Sequence, residues 1–470
     1  MSMFRWTVAL TVLGCGLMTS NSAIAGQIVV EPGDDLRSLV ANNPAGTIFI
    51  IKSGVHRLQF AVPKDGDQFI GEPGATLSGA QRLTSFGRSG SYWTARVQVT
   101  KRSSYRGVCD SLHPMCALTE DLFINNVPLQ RTGSLAHVQT GKWFLDYQYG
   151  VAYFANDPTG KTVEISVTPR AFYGSAKNVT ISLLTIEKYA SQAGDGAVHG
   201  KSDSGPVSYG WMVKKNIIRS NHGMGVRIGD SMQVLYNVLS KNGQMGIGGA
   251  GKNARIEGNE IGYNNFAGYS YNWEAGGTKF SYTTNLIVRK NYSHDNNGPG
   301  LWTDIENSQS LYEYNWTKRN KVAGILHEIS FSAVIRYNTA EEDGFHPGQT
   351  SIWYGAGILV RESSNVQVYG NTVKNCANGI GGIQTNRGLS SNGTPFLLQN
   401  LSVHDNVIAN PRTYAAGIVK SANLDNSVFT SQNNHFQNDK FTLAVLNGKY
   451  FVWLDDRWTL TQWLNYASIH

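Results

Sequence analysis

Between residues 212 and 410 the apolar and polar positions follow one short rule: a few residues of strand, an Asn, a polar corner, then Gly followed by apolar residues. The Asn and Gly stand nine apart in five successive copies, Asn216/Gly225, Asn237/Gly246, Asn259/Gly268, Asn291/Gly300 and Asn315/Gly324. Three places before each Asn is Val213, Val234, Ile256, Val288 or Tyr312, and Ile335, Val368 and Val403 precede Asn338, Asn371 and Asn406 in the same way. A repeat of about 22 residues with fixed punctuation predicts a solenoid. The repeats hold short β-branched runs and no ten-residue helical period, so each predicts one coil of parallel strands. Equivalent residues then stack at roughly 4.8 Å, and the Asn column predicts a side-chain amide ladder inside a corner. Such a ladder needs Asn in every coil, whereas chemistry would need it once.

These repeats resemble the right-handed parallel β-helix superfamily, the pectin-lyase-like proteins, and GLWTDIENS at 300–308 and GILHEIS at 324–330 resemble stretches of secreted bacterial members. The resemblance implies an all-β single right-handed parallel β-helix with an N-terminal capping helix and a C-terminal cap. It names no reaction, because the superfamily includes lyases, glycosidases, epimerases and phage tailspikes.

The rest of the chain divides around the coils. Residues 1–25 read as a secretory signal: Arg5, an apolar run from Trp6 to Met18, and Ala23-Ile24-Ala25 before the cut. The rival reading is a lipoprotein processed at Cys15, in Val12-Leu13-Gly14-Cys15. Either way the chain is exported, secreted or periplasmic, with no apolar run of membrane-spanning length. Residues 26–99 hold the N-terminal cap and first coils, with a helix over 34–43 that Asp34 caps and whose Leu36, Leu39 and Val40 share a face. Residues 100–175 break the repeat and predict a β-rich elaboration. Coils run over 176–447, and the aromatic tail 448–470 predicts a C-terminal cap.

Of the four Cys, Cys109 and Cys116 are close enough to close a small loop in an oxidising compartment, or are two buried thiols, and no spacing suggests zinc. A net charge of +7 biases the protein mildly towards an anionic partner, and no Lys/Arg run or nucleic-acid motif concentrates it. The partner expected is a polysaccharide or oligosaccharide, acidic or neutral.

Chemistry belongs where the repeat is interrupted, at the insertions 269–284, 340–356 and after Ile383. They flank Asp304 and Glu328. By alternation Trp302, Asp304 and Glu306 point outward together, and counting four from each Gly stacks Asn272, Asp304 and Glu328 in one column. Two carboxyls about 5 Å apart suit a retaining glycosidase, and like charges that close raise one pKa. Trp302, Trp273 and Tyr271 offer flat faces to a sugar ring, and Glu274, Glu306 and Lys279 complete the cluster. The competing readings are a stacked acidic pair holding Ca²⁺ or an ordinary solvated face. His327 alternates inward and reads as a core imidazole, with substrate contact as its rival. His346 lies in a loop, and Arg361 is either a surface charge or an anchor for a substrate carboxylate.

Three functions fit: a glycoside hydrolase, a polyuronate lyase or epimerase, and a non-catalytic glycan binder. The second needs cations, and although Lys279, Arg361 and Arg387 can supply charge, the sequence shows no Lys/Arg cluster to match the acids. DGFHPG also departs from the Asp-Pro-His motif of alginate epimerases. The hydrolase is favoured.

Overall fold

The computed structural model describes residues 26–99, 101–203, 205–346, 353–445 and 447–467. The expected signal peptide and its Cys15 alternative lie outside these residues. Among the described residues the chain winds into a parallel β-helix with three long sheets of 13, 12 and 12 strands, each central coil giving one strand to each sheet. One such coil is Met212–Lys214, Ile217–Arg219 and Met224–Arg227, and the next, Gln233–Leu235, Val238–Ser240 and Met245–Gly249, pairs with it strand by strand.

The corner between the first and second sheets explains the recurring Asn. Lys215, Tyr236, Lys290, Tyr314 and Tyr337 adopt φ of 55–57° there, with Gly258 and Gly370 in the same place, which turns the chain sharply in two residues. The Asn that follows is buried, and its Oδ1 accepts from both the backbone N–H and the Nδ2 of the Asn one coil earlier. The ladder runs without a gap through Asn216, Asn237, Asn259, Asn291, Asn315, Asn338, Asn371 and Asn406 to Asp439. The last rung only accepts, so Asp serves as well as Asn. A second ladder, not expected from the sequence, fills the next corner with Asn221, Asn242, Asn264, Asn296, Asn320 and Asp343, each five residues after a member of the first.

The residues three before the Asn are all buried, each Val or Ile adding about 1.5–3 kcal/mol. The Gly column is required by packing, since a Cβ on Gly300 would lie 2.6 Å from Asn320 Nδ2. Gly268 is not in that column. The register Met245↔Gly276 and Ile247↔Thr278 places Gly277 there, and the nine-residue spacing of Asn259 and Gly268 is fortuitous.

Helix Leu36–Asn42 closes the N-terminal end with Leu36 and Val40 in the core. Its cap is Asp35, which accepts from Arg37 N–H, whereas Asp34 accepts from Glu31 N–H. At the other end helix Leu460–Ala467 seats Trp463 against Phe451 and Phe436 at 5.0 and 5.4 Å. Strand Gln68–Gly71 pairs directly with Thr180–Ser182, so the intervening chain is an excursion spliced between adjacent coils. It begins at Ala80–Leu83, earlier than residue 100, and forms two small sheets around Trp143 and Phe154. Cys109 and Cys116 are joined as a disulfide within it. Among the described residues no helix is long and apolar enough to cross a membrane.

Candidate functional site

The outer face of the third sheet carries the acids. Strand Leu301–Asp304 lies beside Ile325–Glu328 with Asp304 opposite Glu328, and Ala356–Arg361 follows with Arg361 opposite Glu328. Direct register on neighbouring parallel strands sets the two acids about 4.8 Å apart at the backbone. The corner that ends these strands is locked by a short third ladder, Thr283, Asn307, Ser330 and Ser363. Ser330 and Ser363 also donate to the carbonyls of Glu328 and Arg361, at 2.7 Å each, which fixes the strand ends carrying the acids.

Three insertions close over this face. Tyr271 from the first meets His346 from the second, ring centroids 4.3 Å apart. From the third, Arg387 reaches Glu328 and Ser391 donates to Glu306 from its N–H and hydroxyl. Asp304 and Glu328 are left only 6% and 5% exposed, so they are not the solvated groups that outward alternation suggests.

The two acids have different surroundings. Asp304 Oδ2 lies 2.8 Å from Lys279 Nζ, while its buried Oδ1 has no partner. Burial first and the charge of Glu328 second raise its carboxyl to about 6, against the pull of Lys279. Glu328 Oε1 is gripped by Arg387 at 2.6 Å and Arg361 at 3.1 Å. Lys279 is itself held by the Trp273 carbonyl at 2.7 Å, by Glu274 at 3.7 Å and over the Trp302 ring at 4.4 Å. A third acid, Glu362, is fully buried next to Arg361. Burial raises its carboxyl, and its Oε1 accepts from the N–H and hydroxyl of Thr385.

Several expected members stand elsewhere. Glu306 lies past the strand end, where Ile305 and Glu306 turn with φ of 70° and 53°, and it tethers the third insertion instead of joining the pair. Asn272 is exposed in a turn, because the insertion lengthens the chain before the strand Gly276–Phe280 and so shifts the count. His327 is fully buried and hydrogen-bonded at 2.7 Å to Thr303, with burial lowering its imidazole to about 4, so it does not meet a substrate. Trp302 is 4% exposed and packs with Leu326, Leu359 and Trp353. Arg361 is engaged by Glu328 and Tyr354. Trp273, Tyr271 and Glu274 remain half-buried at the rim.

The cations, scattered along the sequence, form a cluster in the fold: Lys279, Arg361 and Arg387 surround the acids. Folding gathers them from positions up to 59 residues from Glu328. Among the described residues no three His, Cys, Asp or Glu side chains converge as metal ligands. A separate cleft under the excursion, lined by His113, Asp121, Arg131 and His222, spends its polar groups internally, with Asp121 on His222 at 3.0 Å and Glu120 on Arg131 at 2.9 Å.

A coiled scaffold with sheets of this order is a parallel β-helix, and its matches are to right-handed helices of this fold. Residues 196–354 match the family described as the right handed beta helix region. A solved structure of XylC in complex with xylose is similar at a TM-score of 0.65 and 14% identity, over 89% of this chain and 82% of that one. A structure described as a glycoside hydrolase overlaps at a TM-score of 0.38 and 9% identity, over 89% and 96% of the two chains. The periplasmic alginate epimerase AlgG overlaps at 0.41 and 12%, over 89% and 84%. At these identities the likeness is one of fold. No curated protein sequence matches the chain.

Proposed function

We propose that the protein is exported and acts on a polysaccharide, cleaving glycosidic bonds with Asp304 and Glu328. The observation that carries this reading is their direct register on adjacent strands in unlike surroundings. Retaining glycosidases set their carboxyls about 5–5.5 Å apart, and a pair on neighbouring strands suits that spacing better than the wider gap that admits a water. Asp304, its proton favoured up to about 6, protonates the leaving oxygen. Glu328, ion-paired as a carboxylate, attacks the anomeric carbon. Asp304 then takes a proton from the water that releases the sugar, so the anomeric configuration is kept. Lys279, beside Asp304, stabilises the carboxylate that remains once Asp304 has given its proton to the leaving oxygen, the form that acts as base in the second step.

A second reading has its own observation. Lys279, Arg361 and Arg387 around the acids fit neutralisation of a uronate carboxylate, as elimination or epimerisation at C5 requires. A glycan panel read for reducing ends and ultraviolet absorbance separates the readings. Xylose-bearing glycans belong in it, given the xylose bound in the similar XylC structure. New reducing ends without absorbance support hydrolysis. An absorbing 4,5-unsaturated product establishes elimination, and altered C5 configuration without cleavage establishes epimerisation. Binding with no product from any glycan reduces the protein to a binder.

A further inference from the structure

Upstream of Asp304, on the same outer face, the third sheet carries a group of cations that the proposed cleavage does not use. Arg227 ends strand Met224–Arg227, three strands before Leu301–Asp304, or roughly 14 Å along the axis. Its register partners run through Gly248 to Lys279, so one outward row leads from Arg227 to the cation beside Asp304. Arg227 donates to the Gly194 carbonyl at 2.8 Å, and the Arg106 guanidinium packs against Gly194. Arg170 pairs with the next residue, Asp195, at 3.1 Å and with Asp203 at 2.6 Å. Gln244 ties this turn to the first insertion, accepting from Gly194 N–H at 2.7 Å and donating to the Glu274 carbonyl at 3.0 Å.

Charge is left over here. Arg106, Arg170, Arg227 and Lys201 gather around Asp195, with Asp203 paired to Arg170, while Glu274, which also acts on Arg227, is shared with Lys279. The Nε groups of Arg170 and Arg227 are buried with no partner. Burial and then the surrounding cations hold His199, the register partner of Arg227, neutral down to about 2. Arg227 itself is pulled down by burial, with Arg106 and Arg170 adding to the effect and Asp195 opposing it. Partly buried guanidinium groups such as Arg170 and Arg227, with buried N–H groups left unpaired, are costly unless an anion completes them. Planar forks of this kind match an oxyanion, and Arg106 is exposed, so the cluster is reachable.

We propose that Arg106, Arg170 and Arg227 bind an oxyanion carried by the polysaccharide, a uronate carboxylate or a sulfate ester, a few rings from the bond acted on by Asp304 and Glu328. The subsite rests on the reading of those acids as the reacting pair. Its test measures binding and not turnover. The Asp304→Asn chain is titrated calorimetrically with a galacturonate oligomer, with its carboxyl-reduced counterpart and with a sulfated galactan oligomer.

At least one anionic probe is expected to bind roughly tenfold or more tightly than the neutral one, and which of the two does so tells uronate from sulfate. Arg227→Gln removes that preference with an unchanged far-UV spectrum, and Arg227→Lys restores part of it. Arg106→Gln, at an exposed side chain, gives the same reading should Arg227→Gln fail to fold. Equal binding of charged and neutral probes, undetectable binding included, overturns the proposal, as does a preference that survives both substitutions. Failure of the cleavage reading shows separately, as turnover retained by Asp304→Asn.

Discussion

Asp343 and Asp304 are both aspartates that burial pushes upward, to about 7 and about 6, yet one sits inside a corner of the coil and the other on the outer face of the third sheet. Asp343 ends the second ladder inside a corner. Its Oδ1 accepts from Asn320 N–H and Nδ2 at 2.8 and 3.0 Å, and its Oδ2 accepts from Thr317 at 2.7 Å. Asp304 faces outward under the insertions, with one oxygen on Lys279, the other unpartnered, and a second acid one strand away. A raised carboxyl therefore does not identify a reacting group. In the corner every polar atom of Asp343 is used by the scaffold, whereas on the outer face charge neighbours are supplied and hydrogen-bonding capacity is left over.

The largest contrast is in turnover. Asp304→Asn and Glu328→Gln each lower it roughly 10²–10⁴-fold once a substrate is in hand, with the far-UV spectrum unchanged. Asp343→Asn leaves turnover near that of the parent chain. Equal losses from Asp343→Asn and Asp304→Asn would erase the distinction between the two sides.

Stability reverses the order. Asn315→Ala removes the acceptor of Asn291 N–H and Nδ2, both at 3.0 Å, and strands two buried donors. The cost is at least roughly 2 kcal/mol, read as a lowered urea midpoint. Asn272→Ala, at an exposed turn, shifts it by less than about 0.5 kcal/mol. A midpoint unmoved by Asn315→Ala would mean that the ladder follows from the coils and does not hold them.

The same ladder decides how much of the molecule can be read from its residues. Val213, Asn216 and their equivalents fall into register because stacking forces each coil to repeat them, and a repeat is visible without coordinates. Asp304 and Glu328 can be paired from the residues because no insertion separates Gly300 from Gly324, so equal offsets remain vertical neighbours. Asn272 failed on the same rule: its coil takes extra residues before the strand, and the count starts from Gly268 in place of Gly277. The second ladder was equally periodic, but its Asn residues stand among other polar corner residues. Arg387 is legible as a charge in an insertion beside the acids, but its grip on Glu328 is not, and Ser391 and Arg106 are not legible at all, since nothing local to them records which distant strand they cross.

Lys279 offers a finer measure of the outer face. Its ammonium favours the charged form of Asp304, so Lys279→Met leaves the proton on Asp304 to a higher pH. For an acid that must be protonated, kcat/KM declines above about pH 6, and in the variant this alkaline limb moves upward. A limb that stays in place or moves down removes Asp304 from the acid role.

The smallest effect isolates Asp343. Its folded carboxyl titrates near 7 and its ordinary value is 3.8, so between these the folded chain holds a proton that the unfolded chain has released. Stability from this group is therefore fully present below about pH 4 and is lost as the pH rises towards 7. Groups such as Glu120 and Glu164 are lowered in the fold and contribute the opposite slope, so the wild-type curve alone mixes the two. Asp343→Asn separates them. The amide oxygen keeps the bonds from Asn320, and the Thr317 hydroxyl turns from donor to acceptor for the new Nδ2. The unfolding free energy of the variant minus that of the parent is then expected to increase between pH 4 and 7. A flat difference would mean that Asp343 is ionised in the corner, and the contrast with Asp304 would rest on hydrogen bonding alone.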